Sequence, residues 1–266
     1  MDELLVSHAG GVATITFNRP ERHNAINLAM WEELSRLMPE LASDPAVDVI
    51  LFRGGPGGPF SAGADISEFG SLRRTPEQAA RYGEAVTSGE RAIITCPTPT
   101  VAMVEGFAIG GGAQVALACD LRLCSPESRF GITPAKLGIV YALPSTARLV
   151  EVVGPAWASW ILMTGDLIDA PTALRIGLVH EVIGDLTTRT DELLRTLTSR
   201  AQVSLRGAKS LIRMVADGQR ADDEQSRRHY AASLHGPEYA EGVEAFLAKR
   251  SPDFRAARSQ GSSLDP

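Results

Sequence analysis

Residues 100–124, TVAMVEGFAIGGGAQVALACDLRLC, constrain the fold more than any other stretch of the chain. An apolar, β-rich run at 100–106 leads to three consecutive glycines, then to an alanine-rich helical stretch, and a second apolar run closes the segment at 120–124. A strand, a glycine turn, a helix and a strand in this order favour an α/β fold with mostly parallel strands.

Four further segments carry clear patterns. Residues 3–17 alternate apolar and polar positions around Gly10 and predict a β-hairpin, and residues 47–54 predict a short strand. Asn27 precedes a helical pattern, and Thr75 followed by Pro-Glu-Gln is a helix start with a capping box. From about residue 142 the patterns are nearly all helical. We therefore predict a core domain over 1–190 and a helical C-terminal region over 191–266 that packs against a partner subunit.

Charge and composition exclude several kinds of partner. The chain has 266 residues and a net charge of −6, which argues against nucleic acid because phosphate binding needs positive charge. No apolar run approaches the ~20 residues of a membrane span. The three cysteines have no metal-ligand spacing. We expect a cytoplasmic protein with neither a metal site nor a membrane or nucleic-acid partner.

The glycines at 110–112 open a helix, where free N–H groups and the helix dipole favour an anion. The segment lacks the Gly-Lys-Ser/Thr ending of a P-loop and the spacing of a dinucleotide fingerprint. A carbonyl oxygen that gains negative charge during a reaction fits better. Close packing of the helix against a strand is an alternative that explains one or two of the glycines.

A second glycine-rich loop, PFSAGADISEF at 59–69, extends this pattern. Together with MVEGFAIGGGAQVALACDLRL, FGITPAKLGIVY and MTGDLIDAPTALRIGLVHEV, it resembles the crotonase, or enoyl-CoA hydratase/isomerase, superfamily over residues 5–255. The resemblance implies a spiral of ββα units with helical trimerisation, and so a homotrimer or homohexamer. It also implies acyl-CoA thioester substrates, with coenzyme A as part of the substrate and no separate cofactor.

The resemblance also implies roles for individual residues. The backbone N–H groups of Ala64 and Gly111 would form an oxyanion hole for the thioester carbonyl. Substrate-binding positions would be Ala62, Asp65, Ile66, Gly110, Gln114, Thr133, Pro134 and Leu137. Coenzyme A would contact Arg22, Ala25 and, from a neighbouring subunit, Lys249.

Both glutamates of the family's hydratases are replaced, by Gln114 and Pro134. An amide is no base near neutral pH, and proline has no side-chain proton to transfer. Ordinary hydration of an enoyl-CoA therefore looks unfavourable, whereas decarboxylation of a malonyl-type thioester needs little base. Residues 128–143 resemble methylmalonyl-CoA decarboxylases, which implies that Tyr141 orients a substrate carboxylate. The chain departs from those enzymes at Ala64 and Gln114, where they can carry histidine and glutamate.

Three hypotheses follow. The leading one is a carboxy-lyase that works through a thioester enolate. The second is an enoyl-CoA hydratase or isomerase with non-standard acid and base groups. The third is a non-catalytic CoA- or RNA-binding relative, which the intact glycine loops and the negative charge oppose.

Overall fold

The computed structural model describes residues 2–261. The last residues of the predicted C-terminal region, 262–266, lie outside this range. Within residues 2–261, nine strands form two sheets. The strands are β1 (Leu4–Ala9), β2 (Val12–Phe17), β3 (Val49–Gly54), β4 (Thr100–Val104), β5 (Phe107–Ile109), β6 (Leu121–Cys124), β7 (Arg129–Gly131), β8 (Ile168–Asp169) and β9 (Glu181–Val182).

Eleven helices are described within the same range. They are α1 (Leu28–Ser43), α2 (Phe69–Leu72), α3 (Pro76–Thr95), α4 (Gly111–Ala118), α5 (Leu143–Thr164), α6 (Ala170–Arg175), α7 (Leu186–Thr198), α8 (Gln202–Ala216), α9 (Glu224–His235), α10 (Pro237–Leu247) and α11 (Phe254–Gly261). Gly154, with φ 75°, interrupts α5. No helix among these is both long and apolar enough to cross a bilayer.

The larger sheet has the order β1-β2-β3-β4-β6-β9. The β1–β2 hairpin is antiparallel, and every other pair in this sheet is parallel, as the glycine-turn segment predicts. The smaller sheet has the order β5-β7-β8. The alternation within β3 shows how the larger sheet separates two cores: Ile50 and Phe52 join the main core, whereas Val49 and Leu51 pack with Leu186 of α7.

The predicted helix starts are confirmed. The Asn27 side chain accepts a hydrogen bond from Met30 N, and Thr75 and Gln78 form the capping box at the start of α3. Helices α1 and α3 then cross closely, because a Cβ on Gly89 would lie 2.8 Å from the Trp31 ring. The same Trp31 ring lies 3.2 Å from where a Cβ on Gly111 would be, so it packs between α3 and the start of α4.

The second half of the chain adds two details to the sequence prediction. The region after residue 142 is not wholly helical, because β8 and β9 each add two residues to a sheet. The predicted domain boundary at 190/191 lies inside α7, whose Leu194 packs on the larger sheet. The residues 191–250 are otherwise helical, as predicted, in α7 to α10.

Candidate active site

The two glycine-rich loops lie side by side at the start of α4. Ser61 N donates to Phe107 O at 3.0 Å, and Ile109 N donates to Ser61 O at 3.0 Å. These bonds continue the smaller sheet along β5 onto the loop that contains Ala64. The loop is therefore held by backbone hydrogen bonds, independently of its side chains.

Glycine is required where the loops touch. A Cβ on Gly112 would lie 2.6 Å from Ser61 Cβ, and one on Gly63, whose φ is 103°, would lie 2.8 Å from Ile109 O. Real Cβ atoms do not approach so closely. Close packing therefore explains why residue 112 is glycine. It leaves the neighbouring Gly111 available for a binding role.

The Ala64 and Gly111 amides lie close to each other. A Cβ on Gly111 would be 3.6 Å from Ala64 N. Within the described residues, neither N–H donates a hydrogen bond to a protein acceptor. Gly111 is the first residue of α4, where the helix dipole adds to the attraction for an anion. The pair can bind a carbonyl oxygen that becomes negatively charged.

A cleft of about 270 Å³ opens over these amides. Ten of the predicted site residues line it: Ala62, Ala64, Ile66, Gly110, Gly111, Gln114, Thr133, Pro134, Leu137 and Tyr141. Its far wall comes from α2, the residue that follows it, and α3, none of which the sequence assigned to the site: Phe69, Arg73, Tyr82, Gly83, Val86 and Thr87. The volume is near the lower end of ~300–1,000 Å³ for ligand sites.

Among the described lining residues, none carries a carboxylate, and Arg73 is the one cation. The Arg73 guanidinium stacks 4.4 Å from the Phe69 ring centroid and 5.3 Å from that of Tyr82. The described lining therefore offers no carboxyl group as a base, and its ionisable hydroxyls are the phenols of Tyr82 and Tyr141.

A buried carboxyl group does lie behind the wall, at Glu90 of α3. Gln114 Nε2 donates to Ser145 Oγ at 2.9 Å and to Glu90 Oε2 at 3.3 Å, and Ser145 Oγ also donates to Glu90 Oε2. All three side chains are buried. Burial raises the pKa of Glu90, and the hydrogen bonds from Ser145 and Gln114 offset only part of this rise. Glu90 is thus a carboxyl group suited to gain and lose a proton closer to neutral pH.

The Tyr141 hydroxyl lies beside this cluster. Its oxygen is buried and makes no well-formed hydrogen bond within the described residues. Burial and the nearby Glu90 carboxyl hold the pKa of Tyr141 well above its usual range, although Ser145 is close enough to offset part of the rise. Tyr141 therefore joins the cleft, which its residue lines, to the Glu90 cluster.

The sequence profile of the Enoyl-CoA hydratase/isomerase family matches residues 7–257. The chain belongs to the enoyl-CoA hydratase/isomerase family. Its α/β architecture is the crotonase fold, with the helices of the C-terminal region appended to the sheet-bearing core.

Two curated relatives and one solved structure illustrate the similarity. The chain is 30% identical to the crotonyl-CoA hydratase of Syntrophomonas wolfei, over 95% of this chain and 98% of that one. It is 31% identical to the 2,3-dehydroadipyl-CoA hydratase of Escherichia coli, over 96% and 99%. A crystal structure of an enoyl-CoA hydratase/isomerase family protein from Hyphomonas neptunium superposes with a TM-score of 0.91, at 33% identity, over 95% and 97% of the two chains.

Four residues that the family resemblance assigns to substrate or coenzyme A lie outside the cleft lining. The Asp65 carboxylate is held by Arg19 Nη2 at 2.8 Å and by Ser67, and these hydrogen bonds outweigh burial and lower the pKa of Asp65. Arg22 is exposed in a 3₁₀ turn, and Ala25 is buried. Lys249 follows α10, and its contact with a neighbouring subunit's ligand stays a prediction.

Glu90 is the residue that family reasoning missed, since it matches neither glutamate position of the hydratases. The sequence did contain a signal for it. Tyr82, Val86 and Glu90 follow each other at intervals of four in α3, so a charged residue continues an otherwise hydrophobic stripe. Carboxylates on such a stripe are rarely buried without hydrogen-bond partners.

Proposed function

We propose that this enzyme adds water reversibly to the double bond of a 2-enoyl-CoA, with acid and base groups different from those of the family's other hydratases. The observation that carries the proposal is the Glu90–Ser145–Gln114 cluster against the cleft wall. It supplies the ionisable carboxyl group that Gln114 and Pro134 do not. The named relatives are hydratases, which supports the same choice.

The Ala64 and Gly111 backbone amides, the oxyanion pair, provide the part of the chemistry that both the hydratase and the carboxy-lyase hypotheses use. When water adds to C3 of an enoyl thioester, negative charge moves onto the thioester oxygen, and the Ala64 and Gly111 amides would hold that oxygen. Each such donor is typically worth about 10²–10³-fold in kcat. The α-carbon of the resulting enolate then needs a proton to complete the product.

The carboxy-lyase hypothesis has less support, because the relatives cited above are named hydratases. It requires Tyr141 to hold a substrate carboxylate, yet the Tyr141 hydroxyl already lies within the field of the buried Glu90 carboxyl. A second negative group there is electrostatically unfavourable while Glu90 is ionised. No named relative cited above is a decarboxylase. A purely binding relative would not need the unpaired amides at Ala64 and Gly111.

The test is a panel of thioesters with product masses as the readout. Crotonyl-CoA should gain one water, whereas malonyl-CoA and methylmalonyl-CoA should be recovered without loss of CO₂. Faster loss of CO₂ than hydration would replace the proposal with the carboxy-lyase hypothesis. Absence of turnover on every thioester, with tight binding of each, would favour the non-catalytic alternative.

A further inference from the structure

We propose that Glu90, Ser145 and Tyr141 form a proton relay to the α-carbon of the bound acyl group, in which Tyr141 is the catalytic residue and the other two act through it. The inference rests on the proposed acyl-CoA chemistry, and it names the proton source for either direction of that reaction. It assigns a chemical role to a helix, α3, that otherwise only forms the cleft wall.

Hydrogen bonds give the Glu90–Ser145 end of the proposed relay, and proximity gives its Tyr141 end. Ser145 Oγ–H donates to Glu90 Oε2, so one end of the serine faces the carboxyl group. The Tyr141 hydroxyl is buried near Ser145, lacks a well-formed partner, and belongs to a residue that lines the cleft. Gln114 Nε2 donates to both Glu90 and Ser145, which keeps these two side chains oriented.

Few charged groups surround Glu90, so its carboxyl group is free to gain and lose a proton. From α5, Arg148 is the one cation that lowers the pKa of Glu90, and it acts at a distance because its own hydrogen bonds go to Leu117 O, Cys119 O and Glu151. From α4, the neutral Gln114 donates a hydrogen bond to Glu90, and the neutral Tyr141 is near enough for the Glu90 carboxyl group to raise the pKa of its hydroxyl. No direct ion pair within the described residues fixes Glu90 in its charged form.

The relay balances in protons and electrons. An enolate held by the Ala64 and Gly111 amides takes the Tyr141 hydroxyl proton, so the α-carbon–hydrogen bond forms and the thioester carbonyl is restored. For this direction Glu90 begins as the neutral acid and donates to Ser145, the reverse of the hydrogen bond in which Glu90 is the acceptor. The Ser145 proton passes to the Tyr141 oxygen and the Glu90 proton passes to Ser145, which leaves Glu90 as carboxylate. In hydration, the attacking water gives its proton to solvent in the open cleft. After the product leaves, the relay returns a solvent proton to Glu90, so the net change is the addition of one water. Run backward, the relay removes an α-proton.

The experiment measures hydrogen–deuterium exchange at the α-carbon of butyryl-CoA in D₂O, by mass spectrometry. This saturated thioester cannot be hydrated, so exchange reports the relay and the oxyanion pair alone. Glu90→Gln, Ser145→Ala and Tyr141→Phe should each slow exchange by about 10²-fold, within the usual range for a general acid or base. Ser128→Ala is the matched control: Ser128 is also buried and hydrogen-bonded, but to Ser125 and Val104 O.

Two further readouts separate a relay from a structural role. The exchange rate of the wild-type enzyme should rise with pH as Glu90 ionises, and this rise should vanish in Glu90→Gln. The double variant Glu90→Gln/Tyr141→Phe should be no slower than the slower single variant, because groups that act as one unit are not additive. If the double variant slowed exchange by the product of the two single-variant factors, Glu90 and Tyr141 would act independently, and the relay would be contradicted.

The outcomes for the relay and for the proposed function are distinct. Exchange without crotonyl-CoA hydration would retain the relay and reject the hydratase. Hydration with wild-type exchange rates in all three variants would retain the hydratase and reject the relay. If Glu90→Gln fails to fold, the exchange rate of Ser145→Ala and the pH dependence of exchange by the wild-type enzyme still test the relay. A wild-type enzyme that exchanges no α-proton would also reject the relay.

Discussion

Arg19 Nη2 lies 2.8 Å from Asp65 Oδ2, and this ion pair ties the end of the β1–β2 hairpin to the residue that follows Ala64. Both side chains are largely buried, and Arg19 also donates to Ala25 O at 2.7 Å. The position of one oxyanion amide thus depends on a side chain from a different part of the chain.

Asp65→Asn should therefore affect both stability and turnover. The amide keeps an oxygen for the Ser67 N–H but loses the charge opposite Arg19, a change of about 1.5–3 kcal/mol in the free energy of unfolding for a hydrogen bond to a charged group. Folding lowers the pKa of Asp65, so the ionised carboxylate adds its full share to the free energy of unfolding at neutral pH. That share is lost as the pH falls through the pKa of Asp65 in the folded protein. Urea unfolding at pH 7 and pH 3 checks this: equal losses at both would show that the ion pair is not the cause.

Glu90→Gln should change stability with the opposite pH dependence. Folding raises the pKa of Glu90, so the carboxyl group favours the folded state at low pH and opposes it once it ionises. The variant should melt above the wild type at pH 8, and the difference should shrink toward pH 5. About 1 kcal/mol would appear as ~2–4 °C at this chain length. Differential scanning calorimetry measures the melting temperature of the variant minus that of the wild type at each pH. A difference that is more negative at pH 8 than at pH 5 would mean that the ionised Glu90 stabilises the fold.

Gly112→Ala should disrupt the oxyanion pair. The new Cβ meets Ser61 Cβ at 2.6 Å and Ser61 O at 2.8 Å, so one glycine-rich loop must move away from the other. We expect kcat to fall by roughly 10²-fold or more, as for the loss of one oxyanion donor. Gly70→Ala in α2 is the control, since nothing lies within 4 Å of its added Cβ. Similar rates for the two alanine variants would show that the amide pair tolerates displacement.

The C-terminal helices should form subunit contacts. Ile212, Phe246 and Leu247 are exposed by 70%, 82% and 75%, and such large apolar side chains cluster on α8 and α10. We predict a trimer or a dimer of trimers, measured by light scattering as three or six times 28.4 kDa. Phe246→Glu should dissociate it, whereas Leu5→Glu, on the exposed edge strand β1, should not. A monomeric wild type at micromolar concentration would contradict the prediction.

Local patterns were sufficient to predict much of the fold. The hairpin turn at Gly10, the Asn27 cap and the Thr75 capping box depend on neighbouring residues, and all are confirmed. Strands β8 and β9 have two residues each, too few for any periodicity, and they form only because existing strands offer free edges. Their pairing is decided by the tertiary structure.

The site divides in the same way. The backbone-built half follows from the glycines, whose close contacts leave little alternative. The proton-handling half does not, because Glu90 meets Gln114 and Ser145 across 24 and 55 residues of sequence. Only the packing of α3 against α4 and α5 reveals that this carboxyl group is buried beside the cleft. A missing glutamate at a family position therefore does not establish that the site lacks a carboxyl group.

The rim of the cleft is unusually apolar. Val140 and Leu137 line the cleft and are exposed by 93% and 52%, and Leu143, next to the lining residue Ala142, is exposed by 80%. An acyl chain laid across them releases water from both surfaces, and this release gives a negative heat-capacity change on binding. Thioesters of increasing chain length should therefore differ mainly in how steeply their binding enthalpy varies with temperature. Substrate length would be selected by dehydration at the rim, separately from the chemistry at the thioester.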